Sequence, residues 1–148
     1  MNALEESLQV VLREVEPEAR LDAVEALSQQ FEHGDWDSAQ AEPVVQTLVR
    51  LTVLETHAHN GEALLEAFLF AIHQACIRHR LAGVDLEPLA DLVDALSPSL
   101  VDYCVSILGT SVDERYRPIL ERCLVYPDED VRQTASDALD DLNVARHG

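Results

Sequence analysis

Apolar residues recur along this chain at intervals of three and four, the spacing that places them on one side of an α-helix. A stretch near the middle shows the pattern well, because its carboxylates fall outside the apolar stripe. The residues of that stripe are Leu86, Leu89, Leu92, Val93 and Leu96. No stretch shows the two-residue alternation of a β-strand. The sequence therefore predicts an all-α protein.

Prolines and glycines divide the apolar pattern into separate helices, because proline is favoured in the first turn of a helix and glycine just beyond its end. The predicted helices lie near residues 2–15, 17–33, 41–57, 61–81, 86–96, 98–109, 114–125 and 128–145. Two stretches, 44–54 and 63–77, are apolar almost all round. We expect these two helices to have neighbours on most sides and to form the centre of the core.

A four-residue pattern occurs twice, once in the second predicted helix and once in the last. The first copy is Arg20, Ala23, Ala26 and Leu27, and the second is Arg132, Ala135, Ala138 and Leu139. Alanines three residues apart allow another helix to approach closely, and the leucine that follows fills the space beyond them. Both segments are therefore predicted to be packed inner helices of a repeated unit.

Residues 128–142 resemble the second helix of a HEAT repeat, which commonly opens with an acidic turn, continues with Val-Arg and then carries spaced alanines and a leucine. Residues 117–124 resemble the first helix, so 113–142 is the clearest repeat. At 148 residues the chain fits a single domain over 1–148. The resemblance implies that this domain is a short right-handed α-solenoid of about four antiparallel helix pairs whose second helices line a concave, partner-binding side. The alternative is an ordinary helical bundle whose alanine-rich segments match the HEAT pattern by chance.

The composition combines a large apolar fraction with strong acidity. Because 47% of the residues are hydrophobic, a folded core is expected despite the formal net charge of −18. The 28 acidic residues outnumber the 10 arginines and oppose binding to nucleic acid, whose affinity comes mainly from neutralised phosphates. The same charge attracts a basic protein, or it serves solubility alone.

Three cysteines and the first residues of the chain bear on its location. Cys76, Cys104 and Cys123 stand among apolar neighbours without Cys-x-x-Cys spacing, so we expect small core residues in a reducing compartment. The first residues lack the positive leader and apolar stretch of a signal peptide. The longest apolar stretch, 63–77, is too short to cross a bilayer. The expected location is the cytoplasm, without a membrane partner.

The search for chemistry finds no local signature of a catalytic, cofactor or metal site. The densest set of possible metal ligands is Glu55, His57, His59, Glu62 and Glu66. Neither His-Glu-x-x-His nor Glu-x-x-His occurs, so the zincin and helical di-iron patterns are missing. There is also no Gly-x-Ser-x-Gly and no phosphate-binding glycine loop. We therefore expect no cofactor, no metal and no enzymatic activity.

Exposed carboxylates on two helices are the candidate contacts with a protein partner. If the apolar side of the last helix faces inward, its aspartates face solvent or the concave side. Two carboxylates of the second helix occupy positions equivalent to Thr134 and Asp137, so acidic groups would line a groove at both ends. The candidates are Asp22, Glu25, Asp137, Asp140 and Asp141.

Trp36 is the remaining candidate for partner binding. It stands between Asp35 and Asp37 in a polar junction, so a large apolar ring is joined to two charges. Such a composition is typical of an interface anchor. The alternative is a ring folded back over helix ends.

Two functional hypotheses follow. Residues 103–121 are similar to helical immunity proteins of bacterial polymorphic-toxin systems, which implies an inhibitor that covers a basic, nuclease-type toxin with an acidic face. The alternative is a HEAT-like adaptor or assembly factor for a cellular protein complex, in which acidity serves solubility. A neighbouring toxin gene is expected for the first hypothesis and neighbouring pathway genes for the second.

Overall fold

The computed structural model describes residues 1–58 and 60–147, and eight α-helices account for most of them. The helices are α1 (Ala3–Arg13), α2 (Pro17–His33), α3 (Ser38–Thr56), α4 (Glu62–Arg78), α5 (Glu87–Asp91), α6 (Pro98–Thr110), α7 (Arg117–Cys123) and α8 (Glu129–His147). A 3-10 turn, Glu114–Tyr116, precedes α7. No β-strand occurs in the described residues. The all-α prediction is confirmed.

The chain forms two compact units, Met1–Asp85 and Leu86–Gly148. In the first unit, α2 packs against α1 and most extensively against α4, and α4 also packs against α3. In the second unit, α8 packs against α6 and α7, and α5 packs against α6. The division does not test whether residues 1–148 form a single domain, and that assignment stays a prediction.

Helix α3 begins at Ser38, three residues before the start that the sequence predicted. The cause is a capping box at Asp37. Its carboxylate accepts a hydrogen bond from the Gln40 backbone N–H at 2.8 Å, and the Gln40 side chain accepts one from the Asp37 N–H at 2.9 Å. Two N–H groups of the first turn are thereby satisfied, so the helix does not need Pro43 to begin it.

Helix α5 is shorter than predicted and ends at Asp91 rather than near residue 96. Residues 92–95 continue as turns, closed by backbone hydrogen bonds between residues three apart. Leu89, Leu92 and Val93 are nevertheless buried, so the tighter turns satisfy the apolar pattern without a longer α-helix. Pro98 then favours extended backbone at Ser97, which interrupts the helical path before α6.

The two helices that are apolar all round supply much of the first unit's core, but neither is covered on all sides. Large side chains such as Leu48, Phe68 and Ile72 are fully buried. In contrast, Leu54 on α3 and Ile77 on α4 are 65% and 56% exposed. The expectation of neighbours on most sides is therefore wrong at these two positions, which the neighbouring helices leave exposed. None of the described helices has both the length and the apolar character needed to cross a membrane.

The three cysteines are buried, as the sequence predicted for core residues, and none of them forms a disulfide with another described residue. Burial, the larger cause, and the nearby Cys123 thiol raise the pKa of Cys104 to about 12. Burial also raises the pKa of Cys123, although Arg122 opposes the effect. Because the thiolate is the reactive form, these two thiols are poor nucleophiles at neutral pH.

Candidate protein-binding surfaces

The inward side of α8 has the composition that the sequence predicted. Its buried residues are Val131, Ala135, Ala138, Leu139 and Leu142. A Cβ atom placed on Gly109 of α6 would lie 2.8 Å from the Cβ of Ala138. The missing side chain at 109 and the small one at 138 therefore determine how closely α6 and α8 approach.

The matching motif in α2 is not equivalent in its packing. Ala23 and Leu27 are buried, but Ala26, which corresponds to Ala138, is exposed. The prediction that both alanines of each copy pack against another helix is wrong for α2. The spacing of residues along a helix does not reveal which side a neighbour covers.

The arginines of the two motifs have the same structural role. Arg20 Nε donates a hydrogen bond to the Val11 carbonyl, in the last turn of α1, at 3.3 Å. Arg132 Nη1 donates to the carbonyls of Tyr126 and Pro127, just beyond α7, at 2.8 and 2.9 Å. Carbonyls at the end of a helix or in the junction after it lack partners within the helix. Arg20 binds a carbonyl of the first kind and Arg132 binds two of the second.

Asp137, Asp140 and Asp141 are exposed on α8, as the sequence predicted. Asp137 Oδ1 accepts a hydrogen bond from Gln133 Nε2 at 3.0 Å, which orients its carboxylate along the helix. None of the arginines that the structure describes forms an ion pair with these three aspartates. None of the described basic side chains therefore neutralises their charges.

A fourth carboxylate, Asp102, joins them through a tertiary contact. The Thr134 hydroxyl donates to Asp102 Oδ1 at 2.6 Å, across the contact between α6 and α8. Thr134 lies one helical turn before Asp137, so Asp102 extends the acidic surface toward α6. The sequence analysis missed it, although Asp102 is the one charged residue of α6. We call Asp102, Asp137, Asp140 and Asp141 the α8 acidic face.

The arginines of the second unit are bound elsewhere, which explains why the α8 acidic face keeps its charge. The pairs are Arg115 with Asp113 at 3.1 Å, Arg117 with Glu114 at 2.7 Å, Arg122 with Asp94 at 2.7 Å and Arg146 with Glu114 at 3.0 Å. Arg132 is held by backbone carbonyls, as described above. The uncompensated carboxylates produce a negative field that attracts cationic groups.

Glu114 is the most strongly perturbed carboxylate of the second unit. A hydrogen bond from Arg117, together with the charges of Arg117 and Arg146, lowers the pKa of Glu114 to about 2. The two arginines belong to α7 and α8. This exposed network therefore links the C-terminal end of α8 to the 3-10 turn before α7.

We expect Glu114→Gln to lower the free energy of unfolding above about pH 5, and the difference from wild type to shrink as the pH falls from 4.5 toward about 2. The folded-state pKa lies below the unfolded one, so the stabilisation is complete above the unfolded value and is lost as the carboxylate is protonated. Urea titrations across this range measure it, with Asp140→Asn as the unpaired control. A difference that is independent of pH, or unaffected by about 1 M salt, would contradict the electrostatic explanation.

Asp22 and Glu25, the candidates on α2, are both exposed. Neither of them forms an ion pair with any described residue. They lie in the first unit, whereas the aspartates of α8 lie in the second. The proposed groove with acidic groups at both ends stays a prediction.

Trp36 is buried in the first unit, with 7% of its surface exposed. Its indole Nε1 donates to the Phe31 carbonyl at 3.0 Å. The ring makes edge contacts with Phe31 and His79, at centroid distances of 5.6 and 4.8 Å, and the Arg78 guanidinium lies 5.0 Å from its centroid. This placement agrees with a ring folded over helix ends and leaves little surface for a partner.

The residues considered as metal ligands do not form a described site. Glu55 is buried and accepts a hydrogen bond from Asn60 Nδ2 at 3.0 Å, whereas Glu62 and Glu66 are exposed on α4. His59 lies outside the described residues. Within 1–58 and 60–147, no three His, Cys, Asp or Glu side chains converge in a way that would hold a metal ion.

Neither the comparison with known protein families nor the comparison with curated proteins finds a match for this chain. The charge and exposure of the helix surfaces are therefore the basis for a functional proposal.

Proposed function

We propose that this chain is a non-enzymatic protein-binding domain, an immunity protein that inhibits a basic, nuclease-type toxin through its α8 acidic face. The observation that carries the proposal is the set of exposed aspartates on α8 with which no arginine in the described part of the chain forms an ion pair. The similarity of residues 103–121 to helical immunity proteins supports it. The cysteines, which form no disulfide within the described residues, support action in the bacterial cytoplasm, where thiols stay reduced.

The proposed architecture is a HEAT-like, right-handed α-solenoid of about four antiparallel helix pairs. The contact of Arg20 with Val11 supports it, because the start of α2 meets the end of α1. The contact of Arg132 with Tyr126 supports the same pairing of α7 and α8. Within each unit, the second helices also pack against one another, α2 with α4 and α6 with α8. In a solenoid of this kind α8 lines the concave side.

The inhibitory mechanism follows from charge. A nuclease binds its substrate in a basic groove, and carboxylates that enter the groove compete with phosphates for the same lysines and arginines. Uncompensated charge also steers the two proteins together and accelerates association. Asp102 and Asp137, close to the same α6–α8 contact, present two carboxylates to one region of the groove.

A HEAT-like adaptor is the second candidate. One observation favours it: α4 exposes Phe70 and Ile77, at 38% and 56%, although an inhibitor that acts by charge alone needs no such surface. An adaptor holds a peptide or a subunit of a cellular complex on surfaces of this kind.

The proposal is tested by affinity capture from the native organism at low and moderate salt, followed by mass spectrometry. The variant Asp137→Asn/Asp141→Asn removes two charges from the α8 acidic face. Asp91→Asn/Glu121→Gln removes two exposed charges elsewhere in the second unit and is the matched control. We expect the first variant to retain a basic partner about ten-fold less well, and the control to behave as wild type.

The captured protein is then assayed for nuclease activity with and without the purified chain. Suppression by wild type and not by the α8 variant supports the immunity role. Capture of a cellular complex whose genes neighbour this one supports the adaptor instead. Equal capture by both double variants contradicts the acidic face, and failure to capture any partner contradicts both roles.

A further inference from the structure

A cleft opens at the surface where the junction after α7 meets the first half of α8. Its volume is about 330 Å³, at the small end of the range for pockets that bind small molecules. Residues three, four and seven positions apart share one side of a helix, so α8 supplies four polar side chains to the same space. The residues that line the cleft are Leu124 from the junction and Glu129, Arg132, Gln133 and Ser136 from α8.

The fold uses only part of the Arg132 guanidinium. Nη1 donates to the carbonyls of Tyr126 and Pro127, and Arg132 forms no other hydrogen bond or ion pair within the described part of the chain. Nε and Nη2 therefore keep their hydrogen-bonding capacity. These two nitrogens form an edge of the guanidinium that can bind a carboxylate through two hydrogen bonds.

Two other arginines of the chain show what this edge binds. Arg117 Nε and Nη2 donate to the two carboxylate oxygens of Glu114, at 2.7 and 2.9 Å. Arg115 Nε and Nη2 donate to one oxygen of Asp113, at 3.3 and 3.1 Å. The acceptor is a carboxylate in both cases. We therefore expect the same edge of Arg132 to bind the carboxylate of a ligand.

The opposite charge in the cleft belongs to Glu129, which is exposed. It lies three residues before Arg132, a spacing at which a carboxylate and a guanidinium can pair across one turn. No such ion pair forms, and the carbonyls of the preceding junction hold the guanidinium instead. Gln133 donates its amide to Asp137, which leaves the side-chain carbonyl oxygen of Gln133 as an acceptor. A cation and an anion in one cleft are thus both able to bind groups from solution.

From this arrangement we propose that the cleft binds a zwitterionic α-amino acid with an apolar side chain. Nε and Nη2 of Arg132 bind its carboxylate. The Glu129 carboxylate and Gln133 Oε1 accept hydrogen bonds from its ammonium group. Its side chain packs on Leu124, which is 40% exposed.

Charge selects this class of ligand. The formal net charge of −18 repels anions such as phosphate, although Arg132 alone would accept them. Arg132 in turn repels a simple cation that Glu129 alone would attract. A zwitterion carries no net charge and presents one group of each sign, so it matches both residues. The site is separate from the α8 acidic face and does not depend on the proposed protein-binding function.

The first test measures binding of L-leucine, L-valine and L-phenylalanine at pH 7 by calorimetry and by amide chemical shifts. N-acetyl-leucine lacks the ammonium charge, and leucinamide lacks the carboxylate. We expect leucine to shift resonances of residues 129–136 and each analogue to bind about ten-fold more weakly, because each loses one charged contact.

Three outcomes of this test would overturn the proposal. Equal binding of leucinamide would mean that the acidic chain merely attracts cations. Equal binding of N-acetyl-leucine would reduce the cleft to an anion site at Arg132. No binding of any of the three amino acids, up to their solubility limits, would remove the site altogether.

A matched pair of substitutions tests the ammonium contact. Glu129→Gln removes the anion of the cleft, whereas Asp130→Asn removes an exposed charge of the same helical turn that does not line it. We expect Glu129→Gln to weaken leucine binding about ten-fold and to spare N-acetyl-leucine, which has no ammonium group. Asp130→Asn should leave leucine binding unchanged. Equal losses for the two variants would contradict the assigned contact.

Arg132→Lys tests the carboxylate contact, because lysine keeps the positive charge but not the edge of two nitrogens. We expect leucine and N-acetyl-leucine to bind about ten-fold more weakly and leucinamide to be unaffected. Circular dichroism checks that the variant is folded, since Arg132 also binds the carbonyls after α7. If it is not folded, the analogues and Glu129→Gln decide. Unchanged leucine binding by the folded variant would exclude Arg132 from the site.

Discussion

Ala138→Leu is expected to destabilise the second unit by about 3 kcal/mol, whereas Ala26→Leu, at the equivalent motif position, is expected to change stability by less than about 0.5 kcal/mol. Ala138 packs against the backbone of α6 at Gly109, where no space exists for a larger side chain. Ala26 is exposed on α2 and has room for leucine. Urea unfolding followed by circular dichroism measures both effects. Similar losses for the two variants would show that the α2 motif is packed after all.

A compensating pair of substitutions tests the same contact. Gly109→Ala introduces the Cβ atom that lies 2.8 Å from Ala138, and we expect it to cost about 1–2 kcal/mol despite the better helix propensity of alanine. Combining it with Ala138→Gly removes the clash and should recover part of the loss. Additive losses in the double variant would exclude this pair as the contact that limits the approach of α6 and α8.

Trp36→Ala is expected to destabilise the first unit by about 3–4 kcal/mol, because it removes a buried aromatic ring. Phe31, His79 and Arg78 all lose a contact with the ring. Trp36→Phe should cost about 1–2 kcal/mol, since Arg78 still donates to the Phe31 carbonyl after the indole N–H is lost. Thermal and urea unfolding measure both losses.

Trp36 also reports on its own placement, because it is the one tryptophan of the chain. Its emission in the folded protein should lie at short wavelength and resist quenching by acrylamide, and both properties should change when the first unit unfolds. Strong quenching in the folded state would mean that the ring is exposed, and it would restore the prediction that Trp36 anchors a partner.

The helices were predictable because the signals that define them are local. Spacings of three and four, prolines in first turns and glycines beyond helix ends all lie within a few residues of one another. The departures have local causes too. The capping box at Asp37 and Gln40 was overlooked, so α3 was predicted to begin too late. The apolar residues of 92–96 were assigned to a helix, although turns bury Leu92 and Val93 as well.

The candidate surfaces were predictable only in part. The sequence predicted that Ala138 and Leu142 are buried, and the structure confirms it. Asp137 and Asp141 were therefore correctly expected to face outward, because the helical periodicity determines which residues lie on opposite sides of one helix. Asp102 was missed because it joins the surface through Thr134, 32 residues away in the sequence. The position of Trp36 was left open for a similar reason, since its neighbours Arg78 and His79 belong to the end of α4 and the junction after it.

The sequence by itself determined the all-α class, the approximate bounds of most helices, the buried side of α8 and the burial of the cysteines. Each depends on residues close together in the chain, or on apolar character that favours burial in any fold. Tertiary structure alone decided that Ala138 is packed and Ala26 exposed, that Arg78 meets Phe31, and that Ile77 is uncovered. These outcomes depend on which helices are neighbours. Packing between segments that are distant in the sequence decides this, and the periodicity within one helix does not reveal it.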